Sequence, residues 1–218
     1  MSHVLPMMNG KLNLNVGAGL YEFKRARELN DRRLYLYGTI ISIDRAERED
    51  HYDASITSYL VEQIFEYNRL DSGIATEDRE PIRLYINSPG GEMTEGLALV
   101  SAIELSKTPI YTINVGAWSS MAFLIGICGH KRFSLPNMTF LMHDGSTFTF
   151  GSANKVQDRI DFEKRVEQEV IKNHVLKHSK MDPVDYDALA RVEWYLLPED
   201  ALKHGFIDEI VTDLDTIL

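Results

Sequence analysis

A chain of 218 residues is long enough for one domain with a substantial core, and 44% hydrophobic with 26% charged residues is ordinary for a globular protein. The formal net charge of -10 argues against a nucleic-acid partner, because phosphate backbones select a basic face. Cys128 is the sole cysteine, so no intrachain disulfide forms, and it sits in an apolar run, Met121 to Cys128, far short of the ~20 residues that span a bilayer. Residues 1–20 lack the basic start and apolar stretch of a secretory signal. The expectation is a soluble, cytoplasmic protein with no membrane partner.

In chain order, residues 1–20 carry Gly10, Gly17 and Gly19 with little periodicity and read as a flexible N-terminal arm. A basic cluster follows at Lys24, Arg25, Arg27, Arg32 and Arg33, interrupted by Glu22, Glu28 and Asp31, which reads as a solvated, salt-bridged surface. Short runs rich in β-branched or aromatic residues at Leu34–Tyr37, Ile82–Ile86, Ile110–Val115 and Met138–Met142 predict strands. Between them, Ala54–Leu70 predicts a helix with a stripe of Ile56, Leu60, Ile64 and Phe65. Thr94–Leu105 predicts another, with Leu97, Val100, Ile103 and Leu105. Asp71–Glu80 is polar and reads as a connecting loop. Strands alternating with helices of this length point to βαβ crossovers and a largely parallel, buried sheet.

Beyond Gly151 the pattern changes. Ser152 is a candidate cap for a helix running to about Lys177, with Val156, Ile160, Val166, Val170 and Val175 at near-helical spacing. Charged residues interrupt that stripe, so it needs a partner. Asp182-Pro183 starts a further helix, the aspartate as N-cap and the proline at the first position. The expected architecture is a single α/β domain over residues 21–218 with a projecting long helix.

Three segments carry candidate chemistry. In Gly116-Ala-Trp-Ser-Ser-Met-Ala122 a strand is expected to end at Val115, with a glycine turn and an apolar helix from about Ser120. A serine there either caps the helix or presents its hydroxyl as a nucleophile at a helix N-terminus, where N–H groups favour an oxyanion. A nucleophilic serine needs a base, and His143 follows the strand Met138–Met142 at a sheet end, where open α/β folds build sites. A buried, hydrogen-bonded core histidine is the alternative. In Tyr85-Ile-Asn-Ser-Pro-Gly-Gly-Glu92 two glycines let backbone N–H groups approach a ligand, which suits an oxyanion hole or an ordinary strand-to-helix turn.

Taken together, Asn87-Ser-Pro-Gly-Gly91, Ser120-Met121, Lys131-Arg132-Phe133-x-Leu-Pro136, Met142-His143 and Pro198-Glu-Asp-Ala-Leu-Lys-His-Gly-Phe-Ile-Asp208 resemble the proteolytic subunit of the ATP-dependent Clp protease. The similarity runs in order from about Tyr21 to Val211. The resemblance implies a Clp- and crotonase-like spiral of βαβ units whose projecting strand and helix, the handle at about residues 146–178, serve oligomer assembly. It implies a serine endopeptidase with Ser120 as nucleophile, His143 as base, and the amides of Gly91 and Met121 as oxyanion hole. It also implies two stacked heptameric rings acting on unfolded polypeptides, fed by a separate AAA+ unfoldase that consumes the ATP. This chain itself has no phosphate-binding loop, and no cofactor is expected on it.

The sequence departs from the family at several points. Counting back from Ala201 and Gly205, the family's aspartate falls on Glu193, which can orient a histidine with one methylene more reach. Asp144 is disfavoured because adjacent strand residues face opposite sides. Trp118 stands where the family has a small residue. The family's His-Gln-Pro is His143-Asp-Gly here, and its glycine-rich strand is Ser146-Thr-Phe-Thr-Phe-Gly151, whose Phe148 and Phe150 would strengthen strand pairing or alter the peptide's path. His174 and His178 have i, i+4 spacing but no evident third ligand, so they read as two helix-surface histidines and no metal is expected. Two alternatives to the peptidase are a crotonase-like acyl-CoA enzyme and a catalytically weak subunit of a mixed ring.

Overall fold

The strand β5 (Ile110–Ser119) is the axis about which the sheet is organised. In the computed structural model, residues 31–42, 55–145, 149–190 and 192–218 are described. The expected arm over residues 1–20, most of the basic cluster, and Phe148 lie outside these ranges. By backbone contacts, Leu34–Leu218 form one unit and Met1–Arg33 another.

β4 (Ile82–Ser88) lies parallel to β5, in register from Ile82 opposite Ile110 to Ile86 opposite Asn114. On its other side β5 forks. Tyr111–Asn114 pair with β6 (Lys131–Ser134), while Ala117–Ser119 pair with β7 (Thr139–Met142), both in parallel. A fork leaves backbone groups without a neighbouring strand, and buried groups of that kind need partners. Asn114, fully buried at the fork, supplies them: its amide donates to the Thr139 carbonyl (3.1 Å) and its Oδ1 accepts from the Gly116 N–H (3.0 Å). The sheet order is β1 (Arg33–Tyr37), β4, β5, β6, β9 (Glu209–Ile210), with β8 (Trp194–Leu196) antiparallel on β7. A separate parallel pair joins β2 (Ile40–Ile41) to β3 (Ser55–Ile56).

Helices α1 (Thr57–Leu70), α2 (Met93–Leu105) and α3 (Met121–Ile127) contribute to one core with the sheet. Every residue of α3 is buried, as its unbroken apolar run requires. Two stripes differ from expectation. α1 buries Thr57, Leu60, Gln63, Ile64 and Tyr67, whereas Phe65 is 62% exposed, because the position after Ile64 turns ~100° out of the stripe. α1 also begins at Thr57, since Ser55 and Ile56 pair with β2. α2 buries Leu99, Val100 and Ile103 but leaves Leu105, in its last turn, 82% exposed. Asp71, in the expected polar loop, is buried and accepts a hydrogen bond from the Thr108 hydroxyl (2.8 Å).

The long helix runs to Lys177 as expected, as α4 (Ala153–Val166), a π-helical turn (Glu167–Ile171) and α5 (Lys172–Lys177). Ser152 precedes it but its side chain makes no capping bond. Neither α4 nor the π turn buries a residue; burial resumes only at His174 and Val175. α6 (Pro183–Leu189) starts as expected, with the Asp182 carboxylate accepting from the Val184 and Asp185 N–H groups. It steadies the π turn through Tyr186 to Glu167 (2.5 Å) and Lys172 to Asp187 (2.6 Å). α7 (Pro198–Lys203) leads to β9. Among the described residues no helix is long and apolar enough to cross a membrane.

Candidate active site

The expected end of the strand at Val115 is corrected: β5 continues through Gly116 to Ser119. Gly116 is a strand residue whose missing Cβ makes room for the Asn87 amide. The turn falls on Ser120 itself, with φ 55 and ψ -123. For an L-residue such a conformation costs roughly 1–3 kcal/mol and persists only where the surroundings enforce it. Here they do. The Ser120 N–H donates to the Leu141 carbonyl (2.9 Å), and the Ser120 carbonyl accepts from the Phe123 N–H (3.0 Å), which starts α3. Ser120 occupies the N-cap position, yet its hydroxyl makes no capping bond. The bond that would define a cap is missing, and the side chain is left at the mouth of the helix. Ser119, by contrast, is an ordinary strand residue opposite Leu141.

The glycine pair lies against this turn. After β4, Gly90 and Gly91 adopt φ 91 and 147, a region that favours glycine. A Cβ on Gly90 would stand 2.6 Å from the Ser119 carbonyl oxygen, 2.8 Å from Ser120 Cβ and 2.9 Å from the Met121 nitrogen. Gly90 accepts from the Ile40 N–H (2.8 Å), and the Glu92 N–H donates to the Ile40 carbonyl (2.9 Å). These two bonds form a one-residue parallel bridge that leaves the Gly91 N–H out of the pairing. The Met121 N–H, first in α3, has no intrahelical partner either.

His143 follows the last residue of β7 and is half-buried. β7 and β8 pair antiparallel with Phe140 opposite Leu196, Leu141 opposite Tyr195 and Met142 opposite Trp194. Glu193 immediately precedes β8 and His143 immediately follows β7, both just beyond the last pair, Met142 opposite Trp194. Phe140, Met142 and Leu196 face the core, so alternation puts Leu141, His143, Glu193 and Tyr195 on the other side. Glu193 is exposed, and its carboxylate accepts from the Tyr195 hydroxyl (2.7 Å), two residues along the same face. That bond and the carboxylate's charge raise the tyrosine's pKa. Among the described residues no hydrogen bond links the side chains of Ser120, His143 and Glu193. Asp144 is exposed. Tyr195 was missed from sequence, and the signal was available in its i, i+2 spacing to Glu193.

The other departures resolve differently. Trp118 is fully buried on the core side of β5, edge-on to Phe140 (5.4 Å). Its ring occupies the space that a side chain at Gly126 would need, so the bulk is absorbed in α3 and not at the serine. The strand expected over Ser146–Gly151 is corrected for its described residues: Thr149 and Phe150 belong to no strand, and Phe150 is 94% exposed. The reading of His174 and His178 as two surface residues is also corrected, since His174 is only 8% exposed and packs beneath α2 and α3.

Over residues 51–213 the chain matches the family described as Clp protease. It is 33% identical over 146 residues to the ATP-dependent Clp protease proteolytic subunit 2 of Thermobifida fusca, a match covering 64% of this chain and 70% of that protein. To the ATP-dependent Clp protease proteolytic subunit of Streptococcus thermophilus it is 31% identical over 193 residues, covering 86% and 88%. The Streptococcus gordonii protein of the same description is 29% identical over 191 residues, with the same coverage.

Proposed function

Because this chain belongs to the Clp protease family, we propose that it is a serine endopeptidase subunit that hydrolyses unfolded polypeptides in the cytoplasm, supplied by a separate ATP-driven unfoldase. In this reading Ser120 Oγ attacks the scissile carbonyl while His143 takes its proton. The amides of Gly91 and Met121 face the oxyanion. His143 then gives the proton to the departing amine, water repeats the sequence on the acyl-enzyme, and Glu193 stabilises the imidazolium.

The observation that carries the reading is the left-handed turn at Ser120, strained, uncapped and overlaid by Gly90. A strained serine between a strand and a helix is how α/β hydrolases expose a nucleophile. The test is labelling with a fluorophosphonate probe, with the adduct located by peptide mapping; modification anywhere other than Ser120 would overturn the reading.

A second reading, a catalytically weak subunit in a mixed ring, is favoured by one observation: Glu193 is bonded to Tyr195 and not to His143. Prompt labelling of the chain on its own excludes it.

The oxyanion arrangement depends on close approach, so Gly90→Ala is expected to lower kcat/KM about 100-fold, the cost of misplacing reacting groups by ~1 Å. Peptide turnover within a few-fold of the parent would remove the glycine loop from the site.

The assembly proposed is two stacked heptameric rings joined through residues 146–178. It is supported by a helix with no fully buried residue before His174 and by the exposed Phe150, Phe162 and Val170. Phe150→Asp is expected to split the assembly into single rings and lower activity. Light scattering decides: an unchanged mass in the variant, or a monomeric parent at micromolar concentration, defeats the proposal.

A further inference from the structure

The end of α2 and the end of the long helix meet at a cluster that the proposed peptidase chemistry does not use. His174 on α5 and His178 at its C-terminal cap, one turn apart, stand over Glu104 of α2, and one ligand atom from each lies within 4.8 Å of the others. We propose that Glu104, His174 and His178 form a Zn²⁺ site that fastens the C-terminal turn of α2 to the C-terminal turn of the long helix.

The argument begins with His174. Its Nε2 lies 2.8 Å from the Leu124 carbonyl oxygen. A carbonyl only accepts, so Nε2 carries the hydrogen and the neutral ring keeps its lone pair on Nδ1. That Nδ1 is 3.5 Å from Glu104 Oε1, so in the neutral tautomer two acceptors face each other. The same carboxylate is approached by His178 Nε2 (2.6 Å) and Lys177 Nζ (3.0 Å). A cation between the ring and the carboxylate turns that opposition into two bonds.

The geometry suits zinc. Bonds of about 2.0–2.1 Å in a tetrahedron set ligand atoms roughly 3.4 Å apart. His174 and Glu104 are already at that spacing. His178 must swing, lengthening its 2.6 Å approach to Glu104 by less than ~1 Å and closing on His174, because the three ligand atoms now span up to 4.8 Å. Two imidazoles and one carboxylate are a borderline set that Zn²⁺ accepts, leaving a fourth position for water. The Leu124 carbonyl plays the outer-shell part, fixing the tautomer and orientation of His174. Lys177 is the competitor for Glu104; it is exposed, and its flexible stem lets it withdraw.

The test uses the full chain, stripped of metal with a chelator and then titrated with Zn²⁺ against a chromophoric zinc indicator. About one equivalent should bind, and the Glu104→Gln, His178→Ala double variant should lose affinity on the order of 100-fold, the upper end of what outer-shell losses alone cost. Co²⁺ should give the visible bands of a tetrahedral site in the parent only. Equal Zn²⁺ affinity in parent and double variant overturns the proposal. Lys177→Ala provides a second arm that keeps all three ligands: removing the competing cation should tighten Zn²⁺ binding several-fold, and unchanged or weaker binding in that variant also overturns it.

Discussion

Ser120→Ala is expected to lower peptide turnover by on the order of 10⁶-fold and to abolish fluorophosphonate labelling, while Ser119→Ala keeps most of the activity. The substitution removes only Oγ. The bonds that enforce the turn, from the Ser120 N–H to Leu141 and from Phe123 to the Ser120 carbonyl, are made by backbone and remain. Alanine carries the same left-handed strain as serine, so the fold and its stability should change little. Ser119 provides the contrast because it is paired opposite Leu141 in an unbroken strand, one residue before the turn. Labelling that survives in Ser120→Ala, or that disappears in Ser119→Ala, would move the nucleophile.

Glu193→Gln should have the next largest effect, a loss in kcat on the order of 10⁴-fold, as when the acid of a serine-protease triad is made an amide. The case rests on register. Met142 is paired with Trp194 at the end of β7 and β8, and if the register holds for one more step Glu193 faces His143 at a separation that cross-strand neighbours bridge. To serve His143 the carboxylate must turn from the Tyr195 hydroxyl, an exposed hydrogen bond that is readily exchanged for water. Glutamine still accepts from Tyr195, so the variant should melt within about 0.5 kcal/mol of the parent, as exposed substitutions do. The loss would then belong to catalysis and not to folding. Turnover close to the parent's would take Glu193 out of the triad and leave a Ser-His pair or a different acid.

Local periodicity and punctuation made much of the chain legible. Alternating apolar runs marked β4, β5 and β7 because a strand buried on both faces must be apolar and β-branched almost throughout. The long helix and the Asp182-Pro183 start were readable for similar reasons, since helical spacing and capping chemistry act over a few neighbouring residues. The ordered motifs at Asn87–Gly91, Ser120-Met121 and Met142-His143 carried the family resemblance by themselves, and the family match bears it out.

Other features depend on residues distant in sequence. Gly116 read as a turn, but it is a strand residue that yields space to Asn87, and the bend passes to Ser120 because Leu141 and Phe123 hold it there. Trp118 stands where the family has a small residue, and Gly126 in α3 makes room for its ring on the core side. His174 and His178 read as a lone surface pair; the fold adds Glu104 from another helix and the Leu124 carbonyl behind them. The pattern along the chain determined the elements, their order and the family, because those follow from local periodicity and from motifs in sequence. Tertiary structure alone decided which serine takes the strained turn, that Glu193 meets the Tyr195 hydroxyl and what surrounds the histidine pair. Each of those depends on side chains and strand registers that meet only when distant segments pack.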